Sequence, residues 1–195
     1  MEKTSYHHGA LREELIKQGI KLLNEEGVSQ FSLRRVAALC KVSHTAPYKH
    51  FKSKEEFIEC IIKYIMGSFS EEIRKVAKEH PGDRCLLEIG KRYVTYMLEH
   101  QDYFNLLFLG QKNAVVTITD MQFGYETNHP FSIFTEVATD YLKEKISDEG
   151  LRNRMILQCW SSVHGLVHLV ISGVVKYDGN YGELADMMLS SMNLY

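Results

Sequence analysis

The chain has 195 residues, 45% of them hydrophobic and 25% charged, with a formal net charge of −2. That length buries a sizeable core without disulfides or a metal, and the composition excludes collagen-like, low-complexity and intrinsically disordered classes. No apolar run is long enough to cross a membrane, the first eight residues lack the apolar stretch of a secretory signal, and a near-neutral charge speaks at first against a nucleic-acid partner. Cys40, Cys60, Cys85 and Cys159 lie far apart with no C-x-x-C, the pattern of reduced, buried thiols in a cytoplasmic protein.

Taken in chain order, the periodicity is helical nearly everywhere. Leu11, Leu15, Ile16, Ile20 and Leu23 form an apolar stripe, with Gly27 as its stop. Ser32 is a good N-cap for a short stripe of Leu33, Val36, Ala37 and Cys40. A second short helix is expected over 43–51. Ser53 and Glu56 form a capping box that opens a long helix over 53–79, whose inner face is Phe57, Ile61, Ile65, Phe69, Ile73 and Val76. Pro81-Gly82 closes it. Further helices are expected over 84–100, 102–109, 131–146 (with Pro130 in the first turn), 151–176 and 181–193. Residues 111–128 are the least legible, because the β-branched run Val115 to Thr119 reads as a strand without an evident partner.

Charge is distributed unevenly. Residues 1–63 carry 11 Lys+Arg against 8 Asp+Glu, and the remainder carries 12 against 17. From Val28 to Lys54 there is no acidic residue, while Arg34, Arg35, Lys41, Lys49, Lys52 and Lys54 are all basic. A local basic patch on an acidic chain is an electrostatic footprint for polyanions.

This patch coincides with helix, short turn and helix over 32–40, 41–43 and 43–51, which is helix-turn-helix spacing. Val36, Ala37, Val42 and Phe51 can form a small core holding the two helices, leaving His44, Thr45, Ala46, Lys49 and His50 outward. Small and polar residues at the start of the second helix suit base edges, and Tyr48, Lys49, His50 and Lys54 suit phosphate oxygens.

The stretch from Val42 to Phe57, with its Tyr48-x-His50-Phe51-x-Ser53-Lys54-Glu55 core, closely resembles the recognition-helix signature of TetR-type (tetracycline-repressor-like) transcriptional regulators. The likeness runs back through Phe31 to Ala37 and covers about the first 60 residues. His7 to Arg12, Ala46-Pro47-Tyr48, and Trp160 with His164-Gly165 are similar to the subgroup with a WHG-type C-terminal domain. The resemblance implies base-edge contacts near Arg34, His44 and Thr45, and phosphate contacts from Ser32, Tyr48, His50 and Lys54. It also implies an all-α fold: a three-helix helix-turn-helix DNA-binding domain (1–55), a connecting helix (53–79) and a helical-bundle effector and dimerisation domain (80–195).

The C-terminal two-thirds concentrates aromatic side chains, and aromatic-lined helical cavities accept apolar or planar small molecules. Tyr93, Tyr96, Phe104, Phe108, Tyr125, Trp160, His164 and His168 are the candidate ligand-binding residues. His164 and His168 sit four residues apart, as metal ligands do, but no Cys, Asp or Glu joins them at a neighbouring turn, and no metal or other cofactor is expected. No Ser-His-Asp order, paired-carboxylate motif or Gly-rich phosphate loop is present, so no catalytic residue is assigned. The apolar surplus of 151–176 and 181–193 is expected to pair with its copy in a homodimer. The expected function is a ligand-responsive repressor that binds a pseudo-palindromic double-stranded DNA operator, with no membrane partner. The alternatives are a helical protein-interaction module and an enzyme built on the aromatic pocket.

Overall fold

A computed structural model describes residues 3–82, 84–109, 115–125 and 130–192, with side chains from residue 10 onward. The side chains of His7 and His8 therefore lie outside the described residues, as do 110–114 and 126–129 of the poorly legible stretch. The chain packs as two compact units. Met1–Met66 with Asp102–Gln111 form the first, and Gly67–Gln101 with Lys112–Tyr195 form the second. The changeover falls inside a continuous helix, and 102–111 rejoins the first unit, a finer division than boundaries at 55 and 80.

In the first unit, α1 (Lys3–Gln30) is interrupted at Gly27, whose φ of 71° and ψ of 170° are non-helical. α2 (Leu33–Leu39) starts at the Ser32 cap, whose side chain accepts the Arg35 N–H. α3 (Lys54–Glu79) starts after Ser53, whose Oγ accepts the Glu56 N–H at 3.1 Å. Glu56 reaches back to the Lys52 N–H at 2.8 Å rather than to Ser53 itself. Leu15, Ile16, Ile20, Leu23, Phe31, Val36, Ala37, Phe51, Phe57 and Ile61 are buried together. Phe57 meets Phe51 edge-on at 4.4 Å and stacks on Phe31 at 5.6 Å. Gly19 makes that packing fit, since a Cβ there would stand 2.4 Å from the Phe57 ring. The short α5 (Gln101–Phe104) and the π-turn Asn105–Leu109 join this unit through Asn24, which bonds Asp102 at 2.9 Å and Asn105 at 3.3 Å.

The second unit holds the lower part of α3, α4 (Cys85–Glu99), α6 (Pro130–Leu142), α7 (Glu149–Ile171) and α8 (Tyr181–Ser190). Asp148 and Asn180 cap α7 and α8 with their side-chain oxygens. Helices α6, α7 and α8 stop short of the expected 146, 176 and 193. After Ile171 the chain turns through Gly173 at φ 74°, so the apolar run up to Val174 does not continue the helix. α4 is the hub, packing on α6, α7 and α8. Gly90 admits the Leu189 side chain, which a Cβ would meet at 2.3 Å. The Val115–Thr119 run does find a strand partner. β1 (Val116–Thr119) pairs antiparallel with β2 (Gln122–Tyr125), directly across a two-residue turn. All four cysteines are free thiols: Cys85 and Cys159 are buried, and Cys40 and Cys60 are half-buried.

Candidate nucleic-acid interface and effector site

The turn after α2 is tightly specified. Lys41 adopts a left-handed backbone (φ 55°), its N–H bonds the Ala38 carbonyl, and the Val42 N–H bonds the Ala37 carbonyl at 3.0 Å. This is a Schellman closure with lysine where glycine is usual.

The segment that follows departs from expectation. Residues 43–51 do not form a regular α-helix, and only a 3-10 turn, Pro47–Lys49, is present. Pro47 lacks the N–H that would bond the Ser43 carbonyl, and Ala46 bonds that carbonyl instead at 2.9 Å. Tyr48 to Thr45, Lys49 to Ala46 and His50 to Pro47 continue the tighter i→i−3 pattern. Pro47 and Phe51 are buried beneath this segment, and the Arg12 guanidinium lies 5.3 Å over the Phe51 ring.

The candidate DNA-binding residues fall into two sets. Arg34, His44, Thr45, Tyr48 (54% exposed) and Lys49 are exposed, with Ser43 and Thr45 joined hydroxyl to hydroxyl at 3.0 Å. Ser32, His50 and Lys54 are half-buried and engaged within the unit. Ser32 caps α2, the His50 ring lies beside Phe51, and the Lys54 ammonium donates to the Val28 carbonyl at 2.5 Å above the Phe31 ring. Of the other basic residues, Arg35 is paired with Glu26, while Lys41 and Lys52 are exposed.

The candidate ligand-binding residues are separated by the fold. Phe104 and Phe108, in ring contact with each other at 5.1 Å, belong to the first unit. Tyr96 lies one turn from Tyr93 on α4 and shares the Phe69 ring with it (5.8 and 5.7 Å), but its hydroxyl is 2.8 Å from Ser68 and its ring lies beneath Arg92. Tyr93, Tyr125, Trp160 and His164 come together. The Tyr93 hydroxyl is 2.8 Å from His164 Nδ1, Trp160 stacks on His164 at 4.6 Å, and Phe131 bridges Trp160 (4.7 Å) and Tyr125 (6.1 Å). Burial lowers the His164 imidazole to about 4, with His168 one turn away acting in the same sense, and lifts the Tyr93 hydroxyl well above its ordinary range. In a neutral imidazole, Nδ1 accepts the hydrogen bond from the Tyr93 hydroxyl in the Nε2–H tautomer and donates to it in the other. His168 is itself exposed. Among the described residues no group of three or more His, Cys, Asp or Glu is placed to hold a metal ion, and no helix is long and apolar enough to cross a membrane.

Phe131, which joins the rings, belongs to the aromatic concentration of the C-terminal two-thirds but is not among the candidate ligand-binding residues. Sequence reasoning missed Asn153, a buried amide on α7 that holds the hairpin turn, because nothing local marks it.

A basic, exposed helix-turn-helix face on a helical chain defines a DNA-binding transcriptional regulator. Comparison with known proteins agrees: residues 15–61 match the family of bacterial regulatory proteins called tetR, and residues 86–192 match the tetracyclin repressor-like C-terminal domain. The chain belongs to the tetR family of regulators. The match over the second half is to the tetracyclin repressor-like C-terminal domain and does not confirm the WHG-type subgroup. The HTH-type transcriptional regulator YerO of Bacillus subtilis (strain 168) is 27% identical over 100 residues, which are 49% of this chain and 34% of that protein, so the match spans about a third of the relative's length. The fold is shared with a TetR family transcription regulator of Marinobacter aquaeolei VT8 (TM-score 0.71, 14% identity, 96% and 97% of the two chains). It is also shared with the transcriptional regulator FadR of Bacillus subtilis in complex with stearoyl-CoA (TM-score 0.65, 16% identity, 91% and 95%).

Proposed function

We propose that the chain is a ligand-responsive repressor that binds a pseudo-palindromic operator as a homodimer. The observation that carries this reading is the joint exposure of Arg34, His44, Thr45, Tyr48 and Lys49 on an acid-free segment whose apolar residues are buried beneath it. Thr45 and His44 read base edges, Arg34 reaches the adjoining edge, and Tyr48 and Lys49 take phosphates. Ser32, His50 and Lys54 act by fixing the segment, with phosphate contacts from their outer atoms.

Residues of α7 and α8 support the dimer. Each helix buries one face in its own chain, Ile156, Cys159, Val163 and Val167 on α7 and Ala185 and Leu189 on α8. Leu169 (40%) and Met187 (56%) remain exposed, and a Cβ on Gly165 would meet open space, so a second backbone can approach there. A twofold pair of such chains presents recognition segments about 34–36 Å apart, one turn of DNA.

The effector site is the cluster of Tyr93, Tyr125, Trp160 and His164. That a regulator of the same fold holds stearoyl-CoA supports a small-molecule site in the helical half. Effector binding shifts the dimer toward an arrangement whose recognition segments no longer match the groove spacing, with α3, which has residues in both units, as the connection. Anisotropy of labelled duplexes from the promoter beside its own gene tests the reading. Affinity should fall steeply as salt rises, and a salt-insensitive or absent complex would refute it.

A further inference from the structure

Cross-strand partners share a face of a hairpin, so the β1–β2 register sorts the side chains. Val116 with Tyr125 and Ile118 with Phe123 make an apolar side, and Thr117 with Gly124 and Thr119 with Gln122 a polar one. From the apolar side Phe123 meets Phe131 edge-on at 5.0 Å. Phe131 contacts Trp160, Trp160 stacks on His164, and His164 is bonded to Tyr93. Phe123 is thus the half-buried hairpin ring of a series that leads into the helical unit, with the more exposed Tyr125 beside it on Phe131.

The hairpin is held thinly. Two strands alone are marginal in water, and Ile118 and Tyr125 stay 42% and 39% exposed. The turn places two non-glycine residues, Asp120 (φ 49°) and Met121 (φ 61°), in the left-handed region. Aspartate tolerates that conformation and methionine does not. Opposing the strain at the turn is a buried amide, since Asn153 Nδ2 donates to the Met121 carbonyl at 2.7 Å, while Thr135 and the Tyr125 hydroxyl meet at 3.5 Å at the far end of β2. Asn153 lies on the otherwise apolar buried face of α7, where packing alone gives no reason for an amide.

We propose that the hairpin is a displaceable plug: Phe123 holds against Phe131 the place that an uncharged, planar aromatic ligand takes, and Asn153 is the latch that sets how readily the plug leaves. This rests on the helical members of the cluster, Tyr93, Trp160 and His164, being the effector site, with Tyr125 carried on the plug itself. The ligand is uncharged because the rings that meet Phe131 there, Phe123, Tyr125 and Trp160, carry no charge, and His164 beyond Trp160 is kept neutral by burial down to about 4. An ion brought among these rings loses its hydration and gains only neutral neighbours.

The test uses N-phenyl-1-naphthylamine, a neutral aromatic whose emission rises in apolar surroundings and which accepts energy from Trp160, the single tryptophan. Its anionic counterpart is 1-anilinonaphthalene-8-sulfonate. Because a plug lowers apparent affinity by the fraction of open molecules, Phe123→Ala should bind the neutral probe about tenfold tighter than the unmodified chain, and Asn153→Ala about threefold tighter. Met121→Gly, which relieves the left-handed strain of the turn, should bind it severalfold more weakly, and it keeps the test open if Phe123→Ala does not fold. Unchanged affinity in the folded variants overturns the plug, and equal gains for the two probes overturn the uncharged class. Operator affinity, measured alongside, separates this from the effector reading. Tight probe binding that leaves operator affinity unaltered supports the plug and refutes the effector role. Operator release by a ligand that binds the unmodified chain and the hairpin variants equally refutes the plug alone.

Discussion

At Lys41 the chain accepts a left-handed backbone that glycine would adopt without strain. Lys41→Gly should raise stability by about 1 kcal/mol in urea unfolding, and should weaken DNA binding because an exposed cation leaves the basic face. No gain in stability would contradict the strain. Tyr48 and Thr45 divide the labour differently. Tyr48→Ala should weaken binding to all duplexes alike, whereas Thr45→Ala should change the preferred sequence at a cost of about 1–3 kcal/mol at the base pair concerned. Equal effects of both on every duplex would contradict that division. In the second unit, His164 titrates at about 4 in the folded chain against 6.5 ordinarily. Between those values the unfolded chain takes up the proton and the folded chain does not. The stability linked to this group is therefore whole above pH 6.5, falls by about 2 kcal/mol on going to pH 5, and levels out below pH 4. His164→Gln should flatten that part of the profile, as read by urea unfolding at pH 7 and pH 5.

Among the elements, the capped start of α3 is the easiest to test. Ser53→Ala removes the acceptor for the Glu56 N–H and should cost about 1 kcal/mol in thermal or urea unfolding. The helices that read directly from the sequence are those with a continuous buried apolar stripe, such as Leu15 to Leu23 on α1 and Phe57 to Ile73 on α3. Pro47 shows the limit of that reading. Helix-turn-helix spacing places a helix at 43–51, yet one missing donor in its middle shifts the bonding to i→i−3. The hairpin shows another. Its turn is Asp120-Met121, without the Asn or Gly that marks a two-residue turn, so β1 had no visible partner in the sequence. The exposed part of the DNA-reading face was legible because polar and basic side chains on a short capped element stay outside. Lys54 was not, because a carbonyl 26 residues away in sequence takes its ammonium. The aromatic cluster was legible only as a concentration of rings. Which rings meet depends on tertiary partners such as Asn24, which draws the segment carrying Phe104 and Phe108 into the first unit.

For the whole molecule, the net charge of −2 conceals a basic head and an acidic body. In the proposed function the acidic body limits indiscriminate attraction to DNA, and the exposed basic residues at 34–52 supply the local field for the operator. In the proposed twofold pairing through α7 and α8 one chain is half of a reader, so the central claim is a dimer that recognises two half-sites. Selection of bound duplexes from a random-sequence pool, at physiological salt, tests it most directly. The account predicts an enriched pseudo-palindromic motif with half-site centres about 10 base pairs apart or a multiple of that, lost with Thr45→Ala or replaced by another. A pool that stays random, or a motif without twofold symmetry bound by a single chain, would contradict it.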